Sequence, residues 1–232
     1  MRRKIRRKKE KIRILIIAVV AVVLILTGGY FAFADKYPNL DVYEQYVVNV
    51  IILDHVDYEA MEAEDTVKFW EYCSPDNASV RAWLKVNEDE SKFLGDKKYD
   101  LYVGSDVPVV APENVILFDG FNSLKTVTGL EYIDMKNVNS LENAFRNCYE
   151  LIEVDVGSFN TSNVTTMKGM FSGCTSLTKI VGLENFDMKN VKDVSQMFMD
   201  CRNLTDAAVE ALDLEVIETD EDVFLNCPIN SK

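Results

Sequence analysis

Hydrophobic positions recur along the second half of the chain with a period of 26 or 27 residues. A phenylalanine column marks this period, with members separated by 27, 26, 27 and 26 residues: Phe118, Phe145, Phe171, Phe198 and Phe224. Three residues after each phenylalanine stands an apolar or thiol side chain, namely Phe121, Cys148, Cys174, Cys201 and Cys227. A regular repeat of this length is typical of proteins built from stacked units.

Each unit combines a helical and an extended hydrophobic period. One helical face is predicted by the spacing of Val164, Met167, Met170, Phe171, Cys174 and Leu177. The following "LTKIVGLENF" has apolar residues too widely spaced for a long helix, which indicates a short strand and a turn. Such a unit cannot bury its apolar face alone, so it must stack on its neighbours.

Two nearly identical decapeptides occupy corresponding places in units that lie two steps apart. They are "GLEYIDMKNV" at 129–138 and "GLENFDMKNV" at 182–191. An asparagine column, Asn137, Asn163 and Asn190, precedes the start of each predicted helical turn. We expect these asparagines to cap the exposed N–H groups of the turns.

The segment before the repeats is rich in β-branched and aromatic residues. In 67–111, the runs "VKFWEYC", "SVRAWLKV" and "YDLYV" predict three strands that form an N-terminal cap over the edge of the first unit. Residues 35–66 are harder to interpret. They fit either a strand followed by a short acidic helix or a juxtamembrane spacer, and we assign them as a spacer.

The N-terminus has the composition of a membrane anchor. Residues 14–34 carry no charge, and as a helix this segment would span about 31 Å. Residues 1–13 hold nine Lys and Arg, which predicts a single-pass signal anchor with a cytoplasmic N-terminus and an extracellular C-terminal domain. The alternative is secretion after cleavage at Ala34, but the apolar stretch is longer than a usual signal peptide, which favours the anchor.

The repeat residues resemble a known family. "MKGMFSGCTSLTKI", "VSQMFMDCRNLT" and "FNTSNVTTM" are similar to the BspA-like leucine-rich repeat surface proteins of bacteria. The resemblance implies an α/β repeat fold, a leucine-rich-repeat solenoid of about four to five rungs over 112–232. It also implies adhesion or binding, without catalysis. The degenerate last unit is expected to cap the C-terminal end.

The repeat cysteines do not have the spacing of a metal site. Zinc ligands come in close pairs or with histidine, whereas these cysteines are 26 or 27 residues apart. Disulfides between adjacent rungs remain an alternative, but Phe121 in the same column favours buried free thiols. No cofactor is predicted.

Catalysis is not expected from this sequence. His55 is the only histidine, and it lies far in sequence from the repeat cysteines. The chain has no phosphate-binding glycine loop and no nucleophile elbow. From Asp35 onward it holds 16 basic and 37 acidic residues, and this net charge of −21 disfavours nucleic acid as a partner.

The remaining hypothesis is binding through the outward-facing residues of the strands. The candidate face comprises Lys125, Thr126, Ile152, Glu153, Thr178, Lys179, Thr205 and Asp206. Its partner would be a protein or glycan on a host or neighbouring cell surface, although an ordinary solvated strand surface fits the same residues equally well. The alternative function is a structural or sensory ectodomain whose partner is another membrane or envelope protein.

Overall fold

A computed structural model describes most of the chain from residue 46 to residue 229. The described residues are 46–63, 66–73, 79–89, 91, 98–106, 109–111, 113–115, 117–210, 212–214 and 217–229. The predicted membrane segment at 14–34 and the basic segment at 1–13 lie outside these residues.

A five-stranded mixed sheet precedes the repeats. Its strands follow the order β2-β3-β4-β1-β6, with β1 parallel to both of its neighbours and β3 antiparallel to both of its own. The bounds are β1 Val47–Leu53, β2 Thr66–Cys73, β3 Ser79–Val86, β4 Tyr99–Ser105 and β6 Thr126–Thr128. The three strands expected between 67 and 103 are therefore present, as β2, β3 and β4.

The segment assigned as a spacer contributes the strand that joins this sheet to the repeats. Val47–Leu53 alternates buried and partly exposed residues and lies between β4 and β6. It is followed by the short helix α1, Tyr58–Glu62, whose N-cap Asp57 accepts a hydrogen bond from the N–H of Ala60 at 2.8 Å. The strand-and-helix alternative describes these residues correctly.

Short parallel pairs of strands continue through the repeats. They are formed by β5 Val109–Val110 with β7 Ile133–Asp134, and by β8 Glu153–Asp155 with β9 Lys179–Val181. Helix α2 spans Ala207–Glu210. Four isolated parallel bridges connect one residue from each of five consecutive units, in the order Asn114, Ser140, Thr166, Asp193 and Thr219. The units thus stack in register.

Stacked aromatic rings fill the interior of the repeats. Ring centroids are 5.4 Å apart between Phe145 and Phe171 and 5.8 Å apart between Phe171 and Phe198, with planes within 10° of parallel. These three rings have no solvent exposure. Because each ring packs on the equivalent ring of the next unit, the phenylalanine column is the core predicted from the sequence.

The helical turns predicted for each unit are instead series of tight turns. Backbone N–H groups alternate between a partner three residues back and a partner in the next unit: Cys174 N–H donates to Phe171 C=O at 3.1 Å, but Phe171 N–H donates to Met197 C=O at 2.9 Å. In an α-helix, N–H groups such as that of Phe171 would donate to carbonyl groups of their own helix instead of to the next unit. Stacking therefore replaces helix formation.

The asparagines expected to cap helical turns make a different contact. Asn163 Nδ2 donates to the carbonyl of Lys136 at 3.1 Å, and Asn190 Nδ2 donates to that of Ser162 at 2.7 Å. Both acceptors lie in the preceding unit. These side chains join neighbouring units rather than capping a helix.

The repeated decapeptide encodes one corner of the stack. Gly129 and Gly182 both have a left-handed backbone, φ 83°, and each begins a 3-10 helix, Leu130–Tyr132 and Leu183–Asn185. Asp134 and Asp187 then accept from the N–H two residues ahead, both at 3.0 Å. A Cβ at Gly182 would overlap the backbone of Gly157, so the corner requires glycine.

Two expectations are corrected by this architecture. The structure consists mainly of small parallel and mixed sheets, with only two short α-helices among the described residues, and it does not define the expected α/β leucine-rich-repeat solenoid following a transmembrane helix. The physical reason is the turn structure described above, together with strands of two or three residues. The described part of the chain also contains no helix long and apolar enough to cross a bilayer, so the expected single-pass localisation is not supported.

Candidate functional site

The candidate face lies on the outer side of the short strands of the repeats. Strand β8 pairs with β9 so that Glu153 is directly opposite Lys179, and their side chains form an ion pair at 3.1 Å. Both side chains are more than half exposed. Val154 and Ile180 point the other way into the core, because successive side chains in a strand alternate faces.

Three of the predicted residues form a column at the start of these strands. The N–H of Ile152 donates to the carbonyl of Lys125 at 3.5 Å, and the N–H of Thr178 donates to the carbonyl of Ile152 at 2.9 Å. The Thr178 hydroxyl donates to the same Ile152 carbonyl at 3.1 Å. Lys125 also lies 3.9 Å from the carboxylate of Glu150. The structure therefore brings Lys125, Ile152 and Thr178 together in adjacent units.

The last pair of predicted residues is divided between two roles. Thr205 is exposed. Asp206, by contrast, accepts a hydrogen bond from the N–H of Ile180 at 2.9 Å through its carboxylate. No strand follows β9 in the described residues, so Asp206 supplies the acceptor that the next strand would have supplied. We therefore assign Asp206 to the end of the sheet rather than to the binding face.

The face continues onto the five-stranded sheet through a row of polar side chains. Thr126 donates from its hydroxyl to Asn49 Oδ1 at 2.6 Å, and Asn49 Nδ2 donates to Asp100 Oδ1 at 2.8 Å. Asn87 Nδ2 reaches the same Asp100 oxygen at 2.9 Å. Sequence reasoning missed Asn49, Asp100 and Asn87, because nothing in the spacer indicated that β1 would pair with the repeats.

Two large apolar side chains are exposed beside this face. Ile152 is 52% exposed and Tyr149, three residues earlier in the same unit, is 43% exposed. Each is followed in the sequence by an exposed glutamate, Glu150 after Tyr149 and Glu153 after Ile152. The sequence predicted Ile152 but not Tyr149; an aromatic residue in a polar turn was the available signal.

Three members of the cysteine column are internal and chemically protected. Cys148, Cys174 and Cys201 are free, fully buried thiols, and each donates from Sγ to a phenylalanine carbonyl of the preceding unit at 3.1 Å. Burial raises the pKa of Cys174 and of Cys201 well above the ordinary thiol range. A neutral, enclosed thiol is a poor nucleophile, so these cysteines stabilise the stack.

A small cleft lies at the carboxyl ends of β1 and β4. Its volume is about 300 Å³, and its lining includes Leu53, Val103, Asp106 and Tyr132. Asp106 accepts from the N–H of Val56 and from the hydroxyl of Tyr58, both at 2.9 Å. This carboxylate therefore holds the connection between β1 and α1.

Next to the cleft, His55 and the lining residue Asp54 form an exposed ionisable pair. His55 Nδ1 lies 2.6 Å from Asp54 Oδ1, and this hydrogen bond raises the pKa of the imidazole. In the described ranges, no three His, Cys, Asp or Glu side chains come together as a metal site.

The fold and the face define a protein of stacked short units that presents an exposed strand surface. The chain belongs to the family described as "Mycoplasma protein of unknown function, DUF285", whose sequence profile matches residues 116–232. The match covers the repeats from the first phenylalanine column residue onward. No curated protein and no solved structure matches the chain.

Proposed function

We propose that this protein is a binding module that uses the outer face of its repeat strands to contact a protein partner. The observation that carries the proposal is the exposure of Ile152 and of Tyr149, three residues earlier in the same unit, beside exposed Thr, Lys and Glu side chains. Binding surfaces commonly place aromatic and apolar residues at the centre and polar residues at the rim. We name Lys125, Tyr149, Ile152, Glu153 and Lys179 the strand face.

A protein partner fits this face better than a glycan or a nucleic acid. Charges of both signs alternate across it, since Lys125 and Lys179 lie beside Glu150 and Glu153, and such a mixture favours a complementary polypeptide surface. Nucleic acid is disfavoured because the chain after residue 34 carries a net charge of −21. The resemblance to BspA-like surface proteins supports adhesion as the setting for this binding.

We propose binding without catalysis. The thiols of Cys148, Cys174 and Cys201 are enclosed in the repeat core, whereas the single histidine is exposed beyond the carboxyl end of β1, next to Asp54. A nucleophile and its base need to be within hydrogen-bond reach of each other. The proposal does not include the membrane tether expected from the N-terminal sequence.

The proposal is tested by photo-crosslinking in cells that make the full-length protein. A photoreactive phenylalanine analogue is placed at Ile152 in one variant and at Lys179 in another, and adducts are identified by mass spectrometry. We expect both positions to give the same protein adduct, because both side chains are exposed on the strand face.

The matched control places the analogue at Lys189, an exposed residue of the decapeptide corner rather than of the strands. We expect no shared adduct from Lys189. Equal labelling of one protein from all three positions would show non-specific contact, and the absence of any adduct from Ile152 and Lys179 would refute binding through the strand face.

A further inference from the structure

Along the turn segments 141–147, 167–173 and 194–200, the main-chain hydrogen bonds between units run in one direction. In each turn segment, N–H groups donate to carbonyl groups of the next unit: Phe145 to Met170 at 2.8 Å, Phe171 to Met197 at 2.9 Å and Phe198 to Val223 at 2.9 Å. In these segments, each unit therefore offers a row of N–H donors to the unit that follows it and a row of carbonyl acceptors to the unit that precedes it.

In the last described unit, a row of N–H groups of the turn segment has no acceptor among the described residues. By position, the N–H groups of Asp220, Asp222, Phe224 and Asn226 correspond to those of Val194, Gln196, Phe198 and Asp200, each of which donates to the unit that follows. Within the described residues, these four terminal N–H groups have no acceptor. We call Thr219–Cys227 the terminal edge. Unpaired edges of this kind are templates for the addition of another chain.

Apolar side chains accompany these donors. The ring of Phe224 stacks on Phe198 with centroids 5.7 Å apart, but unlike the other rings of the column it is partly exposed. Leu225 is 45% exposed and Cys227 is also partly exposed. At the terminal edge, a further apolar side chain could therefore pack on the exposed side of the Phe224 ring.

The charge at this edge specifies the partner. Glu218, Asp220, Glu221 and Asp222 are all exposed carboxylates. Only Glu218 has a cation close by among the described residues, Lys192 at 3.4 Å. A second copy of the chain would bring a strongly acidic body to an acidic edge, and like charges in contact oppose binding. A basic segment has the complementary charge.

We propose that the terminal edge binds a Lys- and Arg-bearing segment of a partner protein, which adds as a further unit of the stack. Its carbonyl groups accept from the four terminal N–H groups, an apolar side chain covers Phe224, and its cations pair with the acidic residues. Recognition by main-chain addition, with side chains giving specificity, is an established mode of peptide binding. This surface is separate from the strand face, so the two proposals can fail independently.

The test is amide hydrogen exchange of the full chain with a synthetic peptide. The peptide copies residues 192–204, with Asp193 and Met199 replaced by Lys so that it is basic but keeps the phenylalanine of the repeat. We expect the peptide to slow exchange in Thr219–Cys227. A scrambled peptide of the same composition is the control, and equal protection by both would show that charge alone is responsible and overturn the proposal.

Two variants locate the contact. Leu225→Asp should weaken peptide binding about tenfold, as expected for an apolar contact at an interface centre. Glu221→Lys should weaken it about fivefold, the size of an exposed charge pair. Glu184→Lys, an exposed acid in the second 3-10 helix, is the matched control and should leave binding unchanged.

Other occupants would give different results. Slow exchange at the terminal edge without peptide, lost when residues 1–13 are deleted, would show that the chain's own basic segment covers it. Slow exchange that appears only at high protein concentration, with dimers in sedimentation, would show a second copy there. Either result, or the absence of any protection by the basic peptide, would overturn the proposal.

Discussion

The thiol of Cys174 donates to the carbonyl oxygen of Phe145 in the preceding unit, with 3.1 Å between Sγ and O. The same contact joins Cys148 to Phe118 and Cys201 to Phe171, also at 3.1 Å. A cysteine is thus small enough for the enclosed position and still provides a donor to a carbonyl that lies away from water. The column has a hydrogen-bonding role as well as a packing role.

Substitution of Cys174 by Asp should unfold the repeats. The carboxylate would be fully enclosed without a cation, which we expect to cost more than about 3 kcal/mol of unfolding free energy. Cys174→Ser is the control, because its hydroxyl can still donate to Phe145. Urea denaturation followed by circular dichroism measures both, and a Cys174→Asp protein as stable as the serine variant would contradict the internal position of the column.

The position of a phenylalanine in the column should determine the cost of removing it. Phe171→Ala removes a ring that is stacked on both sides and fully buried, so we expect a loss of about 3 to 5 kcal/mol. Phe224→Ala removes a ring stacked on one side and partly exposed, so its loss should be clearly smaller. Guanidinium denaturation of the two variants measures the unfolding free energy that each loses. Equal losses would refute the expectation that the cost depends on position in the column.

The glycine of the decapeptide corner should not tolerate a side chain. Gly182→Ala would strain a left-handed residue and push a Cβ against the Gly157 backbone, and we expect a loss of at least about 2 kcal/mol. Gly157→Ala is the matched control, because the nearest atom to its Cβ would be a side-chain oxygen of Asp155 at 3.1 Å. Thermal unfolding should show the larger decrease for Gly182→Ala.

Stability should fall at alkaline pH through the enclosed thiols. Burial raises the pKa of Cys174 and Cys201 in the folded protein, whereas an unfolded thiol titrates near about 8.5. Below that pH both states are protonated and the full stability is present. Above it only the unfolded chain releases the proton, so the free energy of unfolding decreases by up to about 1.4 kcal/mol per pH unit for each thiol.

The measurement is the free energy of unfolding in urea at pH 7.5 and pH 10. The double variant Cys174→Ser and Cys201→Ser should lose much of the decrease, while residual dependence from Tyr99 and Cys227, whose pKa values burial also raises, remains. If the wild type and the double variant show the same pH dependence, the thiols are not protected by burial.

The sequence predicted the contents of the core better than the form of the backbone. The 26- and 27-residue spacing located the phenylalanine and cysteine columns, because a stacked position must be apolar in every unit. It did not reveal that Phe171 N–H bonds to Met197 rather than within its own unit. Hydrophobic spacing alone cannot distinguish a helix from turns that place the same side chains inward, so the α-helical part of the unit was predicted wrongly.

The candidate site was predictable only in part. The exposure of Ile152, Glu153, Thr178 and Lys179 was predictable, because alternation within a short strand shows which residues face outward. The contact of Asp206 was not predictable, since a carboxylate in the sequence does not reveal that it accepts from the N–H of Ile180. Asn49 could not be found, because its contact with Thr126 depends on a pairing between residues 77 positions apart.

The repeated corner also bears on how a chain of this kind can change in length. Each unit bonds only to the units before and after it through the same main-chain pattern, from Phe145 with Met170 to Phe198 with Val223. Duplication or loss of one complete unit would therefore restore every contact across the new junction, whereas a gain or loss of a few residues would put the two sides out of register. This geometry therefore allows the chain to lengthen by gene duplication of whole units. The two decapeptides are consistent with such a history, because they differ only where Tyr132 and Ile133 correspond to Asn185 and Phe186.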